Sequence, residues 1–278
     1  MWLLLLPRTN PIPDGANVQL NQILNEKNII VVVGDLGSGV NLVKNTLLLS
    51  EEVDFPNCTK NRLDYIKNLV YPVSLKDNLN QWIKHEYKLR FWQKYYDVDI
   101  ADQYADIATE KLIKISQASK VIFITHWVDT ANRLKQKYPG VQLISVYPKN
   151  NQELQWQIAT YIDKIGIENL HDFTFPNNAT EQKNNYIDKF GKNSYHRLNV
   201  LNMFEIMKDR IDSFEKLPAY QITVGELQTH EWILGMSNFL NLKLDSGQAK
   251  ELVDTWKHLH SPDSTINPWI ENTTYESN

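Results

Sequence analysis

Asn28-Ile29-Ile30-Val31-Val32-Val33-Gly34-Asp35-Leu36-Gly37-Ser38-Gly39-Val40-Asn41 decides the fold. The run from Asn28 to Val33 is almost wholly β-branched and has no polar alternation, which predicts a strand buried on both faces, as in a parallel sheet. Gly34, Gly37 and Gly39 then let the backbone turn sharply and present N–H groups outward. Val40–Ser50 reads as a helix, with Leu42, Val43, Thr46, Leu47 and Leu49 on its apolar positions. A glycine turn between a buried strand and a helix N-terminus suits an anion, because free N–H groups and the helix dipole converge there. Ser38 and Asn41 can add side-chain donors. Asp35 would repel an anion, so its expected role is turn-forming or substrate-facing.

Outward from this unit, buried strands are predicted at Lys120–Thr125 and Val141–Val146, and a short one at Tyr220–Val224. Helical periodicity marks Asp129–Lys137, Gln152–Ile165, Tyr195–Glu215, Gln228–Leu240 and Ser246–His260, and residues 60–118 read as mostly helical. Residues 166–192 are polar and read as an irregular surface excursion. Strands alternating with helices imply a three-layer, P-loop-like α/β fold with a mainly parallel central sheet. No linker composition interrupts the chain, so residues 1–278 are expected to form one domain, with an N-terminal arm at 1–28 and a C-terminal tail at 262–278.

Composition excludes several classes. At 278 residues and a net charge of −4, the chain lacks the basic balance of a nucleic-acid binder. The single cysteine, Cys58, cannot form an internal disulfide. No apolar run reaches about 18 residues, so no membrane span is expected. The segment Met1–Pro7 lacks the basic flank and cleavage site of a signal peptide, and the expected location is cytoplasmic. Sequons at Asn57, Asn178 and Asn272 read as accidents of an Asn-rich chain. The same Asn and Lys richness suggests an AT-rich and even viral source, which would place the protein in host cytoplasm or virion. His258 and His260, with Asp254 one turn earlier, point to different helix sides and read as a solvated face rather than a metal site. The basic and aromatic run Trp82–Tyr96 reads as a packed amphipathic helix.

Gly34 and Gly39 occupy the places of the two glycines in a Walker A loop, but the Lys and Ser/Thr that should follow are Val40 and Asn41. Without the cation for the β/γ-phosphates and the hydroxyl for Mg²⁺, an ordinary ATPase or kinase is disfavoured. A tight βα turn that binds nothing is the alternative. Lys44, in the helix after the turn, and Lys149, beside a predicted strand end, are the cations near the expected ligand edge. His126, at another strand end, is the candidate base, because imidazole exchanges protons near neutral pH.

Several segments resemble the sulfotransferase family. Gly37-Ser38-Gly39-Val40-Asn41-Leu42 resembles the loop that holds the 5′-phosphosulfate, usually Lys/Arg-Ser-Gly-Thr-Thr. Ile124-Thr125-His126 resembles the family's Lys-Thr-His segment, whose His is a general base in many members. The stretch from Lys137 to Pro148 resembles the approach to the strand that ends in Arg-Asp/Asn-Pro. Ile222-Thr223-Val224-Gly225-Glu226-Leu227 and the later Phe239-Leu240-Asn241-Leu242 are similar to the family's late Tyr-Glu-Asp-Leu and Phe-Leu-Gly-Leu pattern. The resemblance implies the donor PAPS (3′-phosphoadenosine 5′-phosphosulfate), no metal, and a small-molecule or glycan acceptor. It implies a catalytic role for His126 and donor contacts from Gly37, Ser38, Gly39, Val40 and Asn41; by position alone, Lys44 in the helix after the turn is a further catalytic candidate and Lys149 beside the strand end a further donor contact. The chain departs from the pattern at Gly37, Val40 and Asn41 in the loop. The Arg that grips the 3′-phosphate falls at Val146, its helical Ser partner near Leu154, and no late Arg-Lys-Gly motif is present. A non-catalytic binding or structural protein on the same scaffold is the second expectation, and phosphoryl transfer the third. Nothing in the sequence specifies an oligomeric state.

Overall fold

A computed structural model describes residues 28–53, 62, 63, 66, 120–175 and 179–259. All of the expected N-terminal arm but Asn28, the C-terminal tail, Cys58, the three sequons, the Trp82–Tyr96 run and most of the helical region expected at 60–118 lie outside those residues. Four parallel strands form one sheet in the order β2-β1-β3-β4. They are β1 (Asn28–Gly34), β2 (Lys120–Thr125), β3 (Gln142–Tyr147) and β4 (Tyr220–Thr223). Ile29 through Val33 are each 0% exposed, because β1 has a strand on either side and a helical layer on either face.

The side-chain alternation of the strands feeds two cores. Ile30, Val32, Ile122, Ile124, Ile144, Val146 and Ile222 face one layer. That layer holds α1 (Val40–Leu47), α7 (Glu231–Leu240) and α8 (Ser246–Leu259). Ile29, Val31, Val33, Phe123 and Leu143 face the other, which holds α2 (Val128–Lys137) and α6 (Ile211–Glu215). The result is the three-layer α/β sandwich that the strand-helix alternation predicts, each fully buried Val or Ile contributing about 1.5–3 kcal/mol. A third apolar cluster joins α3 (Asn151–Ile165) to α5 (Lys192–Lys208) through Leu154, Ile158, Ile162, Val200, Met203 and Met207.

Two expectations are corrected. Residues 166–192 are not irregular throughout: α4 spans Thr180–Phe190. No residue of α4 is fully buried, so it carries little apolar stripe for periodicity to detect. It is tied to the preceding loop instead by Tyr186, whose ring centroid is 5.9 Å from that of Phe175, and by Lys183, 3.0 Å from Asp172. The long helix expected at Tyr195–Glu215 is two helices, α5 and α6, separated at Asp209 and Arg210. Among the described residues, no helix is long and apolar enough to cross a membrane.

The register sets where the site falls. Val33 pairs with Thr125, Gly34 with Val146, and Tyr147 with Thr223. The carboxyl ends of all four strands are therefore level, and the loops after β1, β2 and β3 emerge side by side. Ligands of open α/β sheets bind along this edge.

Candidate functional site

The turn after β1 is built on its glycines. The N–H of Ser38 donates to the Asp35 carbonyl at 3.1 Å, closing a four-residue turn. Gly37, third in that turn, has φ +77°, the left-handed value that a type II turn requires there. Gly39, with φ +89°, caps α1 with no side-chain hydrogen bond, and helix begins at Val40. The first N–H groups of α1 thus have neither an intrahelical acceptor nor a capping side chain. A Cβ on Gly34 would lie 2.5 Å from both Ser38 Oγ and the Val146 carbonyl, so strand and turn approach there as closely as backbone allows.

The surroundings of the turn are polar and incompletely satisfied. Ser38 is 0% exposed, and its hydroxyl has no hydrogen-bond partner. The same holds for Asn41 Oδ1 and Gln157 Oε1. Gln157 Nε2 donates to the Leu36 carbonyl at 2.7 Å, which lays α3 across the turn. Buried polar atoms without partners are uncommon in folded proteins and point to a missing ligand or water. The Ser38 hydroxyl and the first N–H groups of α1 can donate, which suits an anion, whereas Asn41 Oδ1 and Gln157 Oε1 are acceptors and suit a donor group or a water.

Asp35 counts against an anion only until its partner is considered. It is 5% exposed, and Arg210 Nη1 lies 2.8 Å from its Oδ2, an ion pair rather than a well-aligned hydrogen bond. Leu36 N–H donates to Oδ1 at 2.9 Å. Burial pushes the Asp35 carboxyl above its ordinary range, against the pull of Arg210, the Leu36 N–H and His126. Tyr161's own burial, with the Asp35 charge nearby, raises its phenol. Arg210 comes from the break between α5 and α6, and its guanidinium also stacks over Trp127 at 4.9 Å and Phe214 at 5.5 Å.

His126 follows β2 and meets the turn directly. Its Nδ1 is 2.6 Å from the Gly34 carbonyl oxygen. A carbonyl only accepts, so Nδ1 carries the proton, and in the neutral ring Nε2 carries the lone pair. Arg210 Nη2 donates to the His126 carbonyl at 2.7 Å. His126, Asp35 and Arg210 thus form one cluster beside the glycine turn.

The two lysines are placed differently. Lys149 is exposed just beyond β3, where its N–H donates to Glu153 at 2.9 Å within the Asn150-capped start of α3. Lys44 lies in α1 and is 8% exposed. Five residues of helical rise carry it roughly 7 Å along the axis from Gly39. Val146 and Leu154, which the resemblance aligns with the 3′-phosphate ligands, are both 0% exposed and belong to apolar clusters. The donors of the turn suit an anionic group, whereas Val146 and Leu154, apolar and buried, offer no ligand to the 3′-phosphate that the resemblance implies.

Asp254 pairs with His230 Nε2 at 2.9 Å, and no group of metal-ligating side chains gathers among the described residues. A separate cleft of about 100 Å³ opens between α4 and α5, but its charges are matched internally: Lys183 with Asp172 at 3.0 Å and Lys192 with Glu168 at 2.6 Å.

Sequence reasoning missed Arg210. The break it makes in helical periodicity at Asp209-Arg210 is a weak signal, and its pairing with the loops after β1 and β2 is set only by tertiary structure.

No protein-family model matches the chain, and no curated protein sequence matches it. Among solved structures, the crystal structure of the sulfotransferase STF1 from Mycobacterium tuberculosis H37Rv is similar at 11% identity, over 92% of this chain and 80% of that one, with a TM-score of 0.41.

Proposed function

We propose that the protein is a sulfotransferase-like enzyme of the cytoplasm that transfers a sulfuryl group from PAPS to a hydroxyl or amine acceptor. The observation that carries this reading is the His126 Nδ1–Gly34 carbonyl contact of 2.6 Å, which sets a directed base against an anion-accepting turn. PAPS supplies the transferable sulfuryl group. Gly37, Ser38, Gly39, Val40 and Asn41 hold its phosphosulfate through backbone N–H groups and the Ser38 hydroxyl. Lys149 adds a point charge at the neighbouring strand end, and Lys44 adds positive potential from within α1. His126 Nε2 takes the acceptor proton as the new acceptor–sulfur bond forms and the sulfur–oxygen bond to the 5′-phosphate breaks. The negative charge leaves with the nucleotide, and the N–H groups of the turn stabilise it.

The burial of Val146 and Leu154 favours a second reading, a non-catalytic binding protein on the same scaffold. Titration calorimetry with PAPS, PAP, ATP and GTP tests the donor binding that the enzymatic reading requires. The enzymatic reading expects binding of PAP or PAPS that weakens when Ser38 is replaced by Ala. Heat from none of the four ligands contradicts it.

A further inference from the structure

Both ends of the His126–Gly34 hydrogen bond are held by one side chain. The ring of His126 donates to Gly34, and the residue after Gly34 is Asp35. Arg210 grips Asp35 with Nη1 at 2.8 Å and the His126 carbonyl with Nη2 at 2.7 Å. The guanidinium is planar, so one side chain reaches both loops at once, with Nη2 hydrogen-bonded to the His126 carbonyl and Nη1 ion-paired with Asp35, a span that a lysine's single ammonium cannot reproduce. Trp127 and Phe214 fix the guanidinium through their ring faces. Asp35 is buried, so this pairing is not the loose contact of a solvated surface bridge.

We propose that Arg210 is the positioning residue of the site: by clamping the loops after β1 and β2 together, it keeps His126 in the Nδ1–H form with Nε2 as the proton acceptor. A neutral histidine in water favours no such fixed orientation, and its tautomer follows the hydrogen bond that the other nitrogen makes. Spreading the two loops by a fraction of an ångström lengthens the 2.6 Å bond and weakens its hold on the Nδ1–H tautomer. Arg210 touches no reacting atom. Its effect on turnover, which rests on the function proposed above, therefore acts through His126.

The test is ¹⁵N-histidine NMR on the full chain, with the His126 signals assigned by their loss in His126→Gln. In the unmodified protein at pH above the ring's titration, His126 shows protonated Nδ1 and unprotonated Nε2. In Arg210→Ala and Arg210→Lys this pattern gives way to exchange between tautomers, and added guanidinium ion restores it in Arg210→Ala. Asp35→Asn, which retains the side chain's size, loosens the clamp from the other side. It decides the matter alone if the Arg210 variants do not fold. An unchanged Nδ1–H pattern in a folded Arg210→Ala, or in Asp35→Asn where that is the deciding variant, overturns the proposal. The measurement needs no turnover. Loss of the tautomer without any transferase activity would leave the clamp standing and remove the enzymatic reading.

Discussion

The imidazole of His126 and the carbonyl of Gly34, the last residue of β1, are 2.6 Å apart. The contact ties the loop after β2 to the first residue of the glycine turn. It follows from register: Val33 lies opposite Thr125, so the next residue on each strand emerges at the same height. Replacing His126 by Ala is expected to lower sulfuryl transfer by roughly 100-fold or more, the usual worth of a positioned general base. Initial-rate kinetics on the purified variant check this, and a kcat equal to that of the parent protein removes His126 from the chemistry.

Gly37→Ala is expected to destabilise the fold by about 1–3 kcal/mol. A Cβ there would sit 2.8 Å from the Gln157 carbonyl and 2.8 Å from Tyr161 Cβ, on a backbone with φ +77°. The α3 backbone cannot yield as a side-chain tip can. Gly39→Ala meets the Cδ1 of Leu227 under a φ of +89°, and the same range is expected. Urea unfolding of both variants measures the cost. A midpoint unchanged in either would show that the turn is more pliant than its packing implies.

Val146→Arg is expected to unfold the protein, or cost several kcal/mol, without creating tight PAP binding. Val146 is 0% exposed within the main core, and an unpaired buried cation is strongly unfavourable. The departure from the family pattern at this position is thus built into the core. Thermal unfolding and calorimetry with PAP test it together. A stable Val146→Arg protein with PAP affinity raised tenfold or more would show that the position faces the ligand.

Much of the scaffold is legible in the sequence because burial writes itself there. β2 spans Lys120–Thr125 as its apolar run predicts, and β1 exceeds its expected end only by Gly34. The turn is legible because glycine is needed at φ +77° and +89°. What escapes is whatever depends on distant partners. α4 is tied down by contacts to Phe175 and Asp172 rather than by a stripe, and Arg210, at the break between α5 and α6, finds its partner Asp35 far away in sequence. Asp35 reads as an obstacle to an anion until that partner is known.

Asp172 organises the loop before α4. Its Oδ1 accepts from the N–H groups of Thr174 at 3.0 Å and Phe175 at 2.9 Å, and its Oδ2 pairs with Lys183 at 3.0 Å. Burial raises this carboxyl, but the Phe175 N–H, Lys183, the Thr174 N–H and Tyr195 outweigh it and hold the group below its ordinary range. A carboxyl lowered in the folded state contributes fully above its unfolded value near 3.9 and loses that contribution as pH falls through the folded value. Asp172→Asn is expected to cost about 1–3 kcal/mol at pH 7 and progressively less under stronger acid. Urea unfolding across the acid range measures both, and a difference that grows in acid contradicts the assignment.

Sulfuryl transfer is the central property proposed for the protein. The deciding measurement is release of PAP from PAPS, followed by chromatography with a panel of hydroxyl and amine acceptors. The result expected is acceptor-dependent PAP formation that falls roughly 100-fold in His126→Ala. PAP formation indistinguishable from the uncatalysed rate with every acceptor, together with no calorimetric binding of PAP, would contradict it.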